Sequence, residues 1–289
     1  MFAKTISAST ILGLLLAAVP VLAQPPLIAA ELNVPGSPPV LLNVPQEAVD
    51  RSPAIVPLGT AVDPATGKVV EGIAFIHYKK DFGKGSQNAK SPKAGGSSCY
   101  SYLARGAKWK SVEPWVMNPS NAEGLDPAAL FNLEGAALAK WEDAADGTTG
   151  NGAGVEIFGG GSQTAAALVA DTVAPDGQNE VYFGNVGTTG AIAVTIVWGF
   201  FSGPTFAREL VEWDQVYDQV DFNWSADAAG VAGKMDFDNI ASHEDGHSAG
   251  MGHPDDSCTE ETMYRFSANA EPKKRSLNAG DIAGVTALY

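Results

Sequence analysis

The sequence predicts a mixed α/β (α+β) domain running from Cys99 to the C-terminal Tyr289. Three observations carry that expectation. Short β-type segments are separated by Gly-rich turns, a well-signalled helix begins near residue 126, and a second helical pattern lies near residue 240.

Each element follows from local chemistry. VEPWVMN (112–118) has strand composition. Asp126-Pro127 is a helix start, with Asp at the cap and Pro at the first helical position. Leu130, Leu133, Ala137 and Trp141 then recur at helical spacing and form one apolar stripe, and Gly147 closes the helix. VEIFG (155–159), NEVYFGNVG (179–187) and AIAVTIVWGFF (191–201) read as strands, and QVDFNWS (219–225) as a further one. ELVEWDQV (209–216) suits helix and strand equally. A second helix is expected from Asp236 or Asp238 to about Ala249, and a last one from Ala279 to Tyr289. No internal repeat is visible.

Upstream of Cys99 the chain changes character. Residues 1–23 read as a secretory signal peptide: Lys4 gives the positive start, Ile11 to Ala18 is apolar, and Val21-Leu22-Ala23 fits a cleavage site. The apolar run falls short of the ~20 residues a membrane span needs, so the expected product is soluble and secreted. Residues 24–98 form a Pro-rich extension, and either a propeptide or a lead-in strand fits them. Within them VVEGIAFIHY (69–78) alternates as a strand does, and KKDFGKGSQNAKSPKAGGSS (79–98) reads as a linker and processing site. The expected division is therefore 1–23, 24–98 and 99–289.

The formal net charge of −15 argues against nucleic acid or anionic membrane as partner. There are two cysteines, Cys99 and Cys258. In an exported protein such a pair predicts a disulfide.

The specific signal is His243-Glu244-Asp245-Gly246-His247-Ser248-Ala249-Gly250-Met251-Gly252-His253. Histidines four apart share one helix face, so both imidazoles reach one ion. Glu244 sits beside that face and can approach water without ligating the metal. His253 lies too far along for the same face, so the helix must stop and the chain turn back, and Gly250 suits a left-handed turn. Three imidazoles with no fourth protein ligand describe an open zinc site of the catalytic type, with Glu244 as general base. Three of the four histidines stand in this window, and the fourth, His77, reads as a strand or surface residue.

The long pattern His-Glu-x-x-His-x-x-Gly-x-x-His resembles the metzincin clan of metallopeptidases. Thr262-Met263-Tyr264, ten residues beyond His253, is similar to that clan's methionine turn, with Met263 as an apolar floor beneath the ligands. Over roughly 99–289 the chain looks most like the matrixin family. That resemblance implies a twisted mixed five-stranded sheet, two long helices, a cleft over the zinc and a small C-terminal subdomain ending in a helix. It makes AIAVTIVW (191–198) the edge strand to which an extended polypeptide substrate adds. It also implies a monomer with one catalytic Zn2+, and a secreted endopeptidase.

Several residues depart from the family pattern. Pro254 stands where matrixins usually have Ser, and Arg265 where they have Pro. The Pro-Arg-Cys-Gly latency motif is absent, as are the histidines for a second, structural zinc. Asp/Gly-rich loops such as 171–187 offer carboxylates for Ca2+. Asn223-Trp224-Ser225 is a glycosylation acceptor where the producing cell performs that modification. The alternative to an active peptidase is a catalytically silent zinc-binding interaction protein of the same fold. The presence of Glu244 favours the enzyme.

Overall fold

The computed structural model describes residues 28–32, 40–44, 54–80 and 99–289. The expected signal peptide and linker residues 81–98 lie outside the described residues. In chain order the strands are β1 (Ile28–Leu32), β2 (Val40–Val44), β3 (Ile55–Val62), β4 (Val69–Lys79), β5 (Ser101–Tyr102) and β6 (Glu113–Asn118). Helix α1 (Pro127–Ala144) follows, then β7 (Phe158–Gln163), β8 (Asn179–Gly184), β9 (Ala191–Phe200), β10 (Glu209–Asp218), β11 (Trp224–Ser225) and β12 (Met235–Asp236). Helix α2 (Phe237–Ser248), β13 (Met251–Gly252), β14 (Phe266–Ser267) and helix α3 (Ala279–Leu288) complete the chain.

The main sheet has eight strands in the order β14-β4-β9-β10-β8-β6-β7, with β3 also paired to β4. Pairings β6–β7, β6–β8 and β8–β10 are parallel, whereas β9 is antiparallel to both β10 and β4. Side chains alternate between two apolar clusters. One joins the sheet to the helices through Trp141, Trp213, Tyr217, Phe237 and Met263. The other covers the opposite face with Val70, Ile76, Tyr182, Val194, Ile196 and Trp198. Burial on both faces explains why β9 is a continuous apolar run without polar alternation.

The helices form where expected. The Asp126 carboxylate accepts the Ala128 N–H at 2.9 Å, with Pro127 opening α1. The buried stripe is Leu130, Ala137, Leu138 and Trp141 together with Glu134, while Leu133 is only half-buried. Trp141 Nε1 donates to the Ser242 carbonyl at 2.8 Å and locks α1 against α2.

Some expectations change. The five strands expected of the sheet (β7-β6-β8-β10-β9) are present, but β4, β3 and β14 extend it to eight. The boundary at Cys99 does not divide the fold, because β3 and β4 lie upstream of it. AIAVTIVW is interior: β4 runs along the edge of β9 that the resemblance left open, pairing Glu71 with Gly199 through to His77 with Ala193. ELVEWDQV resolves as strand β10, since its alternate residues pack into both faces. VEIFG pairs only from Phe158, because Glu142 Oε1 accepts the Ile157 and Phe158 N–H groups (2.8 Å each) and holds the preceding chain against α1. QVDFNWS contributes only the two-residue β11. The Asp218 carboxylate accepts the Val220 and Asp221 N–H groups at 2.7 and 2.9 Å and folds that segment into a turn.

Candidate metal centre

Helix α2 begins on the Asp236 side chain, which accepts the Asn239 N–H at 2.9 Å. His243 and His247 lie on one face and are fully buried. The helix ends at Ala249, and Gly250 takes φ +96°, the left-handed turn expected. A side chain there would also come within 2.9 Å of the Ala107 carbonyl, so space and conformation both require glycine. The chain then pairs as β13 with β5, matching Met251 to Tyr102 and Gly252 to Ser101, and this delivers His253. The Cys99–Cys258 disulfide expected from the sequence is formed, joining the same two segments beyond the Ser101–Gly252 end of that pairing.

The three imidazoles converge through Nε2. His253 Nε2 lies 3.1 Å from His247 Nε2 and 3.3 Å from His243 Nε2. The opposite ring nitrogens are committed elsewhere: His243 Nδ1 donates to the Thr262 carbonyl (2.6 Å) and His247 Nδ1 to the Met251 carbonyl (3.0 Å). In those two rings Nε2 is therefore the lone-pair nitrogen, and this spacing lets the lone pairs share one cation. A tetrahedral ion with Zn–N near 2.05 Å separates its ligand nitrogens by about 3.3 Å. The residues present fit zinc. Burial depresses the basicity of all three rings, His247 to about 3 and the other two well below the usual imidazole value. All are therefore held neutral, as ligation requires.

Glu244 is completely buried beside this triad. Its Oε1 accepts from His77 Nδ1 at 2.8 Å and its Oε2 from the Thr195 hydroxyl at 2.6 Å. Burial pushes its carboxyl up to about 8, and the Thr195 bond opposes that shift. A dication at the Nε2 atoms acts on Glu244 in the same sense as Thr195. Asp245, the next residue, turns away and accepts from Gln215 Nε2 at 2.9 Å.

The methionine turn lies directly under the helix. Met263 is fully buried, and a Cβ placed on Gly246 would be 2.1 Å from its sulfur. Asp281, in the first turn of α3, accepts the Thr262 and Met263 N–H groups at 2.7 and 3.2 Å. The C-terminal helix thus holds the floor of the site. Arg265 pairs with Asp256 in the loop after His253 and lies over the Phe266 ring.

Three site residues were not found from the sequence. His77 is buried and not a surface residue, and its ring lies 3.9 Å from that of His243. Lys274 Nζ donates to His77 Nε2 at 2.9 Å, which leaves the His77 proton on Nδ1 facing Glu244. Thr195 is the polar interruption in the β9 run. The alternation of VVEGIAFIHY did put Phe75 and His77 on one face, but nothing local said which surface that face would meet.

The geometry defines an open three-histidine metal centre with an adjacent carboxylate, on an α+β scaffold. Residues 187–289 match the family model of matrixin, so the part of the chain that carries the triad, Glu244 and Met263 is similar to matrixin. None of the curated proteins compared matches the chain. The match lends nothing to calcium. Asp171, Glu212 and Asp214 do bring carboxylate oxygens within 4.8 Å of one another. Burial, reinforced by repulsion from neighbouring carboxylates, raises all three pKa values, which favours their protonated forms.

Proposed function

We propose that the protein is a secreted zinc-dependent endopeptidase, with His243, His247 and His253 as metal ligands and Glu244 as general base. The observation that carries this reading is the convergence of three imidazole Nε2 atoms beside a buried carboxylate. Zinc bound there would supply a Lewis acid for the scissile carbonyl and an activated water. Glu244 lies one residue from the first ligand and would take the water proton and return it to the leaving amine. Thr195 would hold Oε2, and Oε1, which accepts from His77, would exchange that bond for the reacting water. The substrate is proposed to be a polypeptide bound in extended form by a monomeric protein, with no nucleic acid or membrane partner. Among the described residues no helix is long and apolar enough to cross a membrane. The N-terminal signal pattern supports export.

A second reading, a silent zinc-binding protein of this fold, is favoured by one observation. Both Glu244 oxygens are already engaged, by His77 and Thr195. The test is hydrolysis of gelatin or casein by zinc-replete protein, before and after a cut introduced between Lys80 and Cys99. Hydrolysis by at least one form, stopped by chelator and restored by zinc, is expected. A zinc-replete protein inert in both forms overturns the endopeptidase reading.

A further inference from the structure

Strand β4 lies where an added strand would lie. It runs antiparallel along β9 over the register from Glu71–Gly199 to His77–Ala193 and takes up that strand's second edge. Its alternate side chains then descend on the metal centre. The Phe75 ring stacks on His247 with centroids 4.0 Å apart and planes at 14°, and meets His253 edge-on at 5.9 Å. Two residues further on, His77 lies against His243 and donates to Glu244. One strand therefore covers all three ligand rings and engages the proposed base, while Ala74 and Ile76 on its other face pack into the second apolar cluster. Lys274 and the pairing of β14 with Tyr78 and Lys79 hold the end of β4 in place.

We infer that β4 is an internal latch: a segment of the chain itself occupies the substrate edge of β9, with Phe75 over the ligand rings and His77 on Glu244. A peptide can pair with β9 only when β4 has left. This rests on the peptidase reading for what the latch excludes, but the occupied edge and covered rings stand without it. Residues 81–98 join β4 to the remainder of the chain from Cys99 onward. A cut within them turns an intramolecular strand into a bimolecular one and removes its effective concentration, so that dilution favours departure.

The experiment uses the full chain loaded with zinc and carrying a recognition site for a highly specific protease between Lys80 and Cys99. The probe is a short peptide ending in a hydroxamate, which needs both the metal and the free edge, and its affinity is measured by calorimetry before and after cutting. Affinity should rise at least about tenfold on cutting, because apparent affinity scales with the fraction of open protein. A synthetic peptide of residues 69–79 added to the cut protein should bring it back down. Equal affinity in the two forms, or no binding to either, overturns the latch. Tight probe binding to the cut form without any peptide hydrolysis keeps the latch and removes the peptidase reading. Should the cut protein lose its near-ultraviolet circular dichroism, the uncut double variant Phe75→Ala, His77→Ala decides. A gain in probe affinity there supports the latch, and an unchanged affinity overturns it.

Discussion

Gly246 and Met263 are in direct contact across the floor of the metal centre: a single added carbon on Gly246 would stand 2.1 Å from the Met263 sulfur and 2.5 Å from the Trp141 ring. The residue just before His247 is glycine because the methionine turn fills the space a side chain would need. Gly246→Ala should therefore destabilise the protein by roughly 1–3 kcal/mol, the usual cost of overpacking a well-filled interior. Adding Met263→Ala should return part of that loss, giving a favourable coupling in a double-mutant cycle by urea unfolding. Strict additivity of the two changes would show that the contact is not the cause.

Glu244→Gln preserves shape and the Thr195 bond while removing the proton acceptor. The variant should bind one zinc with unchanged affinity and lose about 10²–10⁴-fold in hydrolysis rate. Metal content and turnover are measured on the same sample of cut protein. A metal-replete variant that keeps the parent rate would remove Glu244 from its proposed role. Zinc itself should raise thermal stability by mass action, about 2.7 kcal/mol at a hundredfold excess over its dissociation constant, and lose that effect in acid as the imidazoles protonate.

The Cys99–Cys258 bridge spans 159 residues. Chain-entropy arithmetic assigns a loop of this length ~5 kcal/mol as an upper value. Reduction, or Cys99→Ser, should lower the melting temperature and weaken zinc binding, since the bridge flanks the β5–β13 pairing that delivers His253. It should not by itself release activity from the uncut chain. A Cys99→Ser protein that becomes fully active uncut would point instead to a cysteine held on the metal.

The buried acidic group on β8, β10 and the loop before β8 sets a pH dependence away from the metal. Burial raises Asp171 to about 6, Glu180 to about 7 and Glu212 to about 9, and neighbouring carboxylates reinforce each shift. A carboxyl whose folded pKa exceeds its unfolded value stabilises fully below the unfolded pKa, and that contribution is lost as pH rises through the folded value. In chelator these three groups should therefore lower the urea midpoint as pH rises from 5 to 9, while the buried imidazoles and Lys274, held below their ordinary values, act in the opposite sense. Glu212→Gln, which removes the highest of these three titrations, should flatten the upper part of that profile. A slope identical to the parent's would assign the pH dependence to other groups.

What the sequence determined by itself is local. The caps of α1 and α2, the turn at Gly250, the clustering of His243, His247 and His253 beside Glu244, and Met263 were legible because each is set by spacing within a helix turn or a short loop. The disulfide was expected from the signal-peptide pattern and the cysteine count. The tertiary structure alone decided what those parts meet. His77 looked like an ordinary strand residue, yet it lies 167 residues from Glu244 and touches it. Lys274 and Asp281 sat in segments with no motif, and each reaches the site from the C-terminal subdomain. Strand pairing explains the difference. Any exposed edge satisfies the same backbone donors and acceptors, so β-composition shows that VVEGIAFIHY is a strand without naming its neighbour. The neighbour is chosen by long-range closure and by which face finds a complementary surface. Here that choice put β4 on β9, and so over the metal centre.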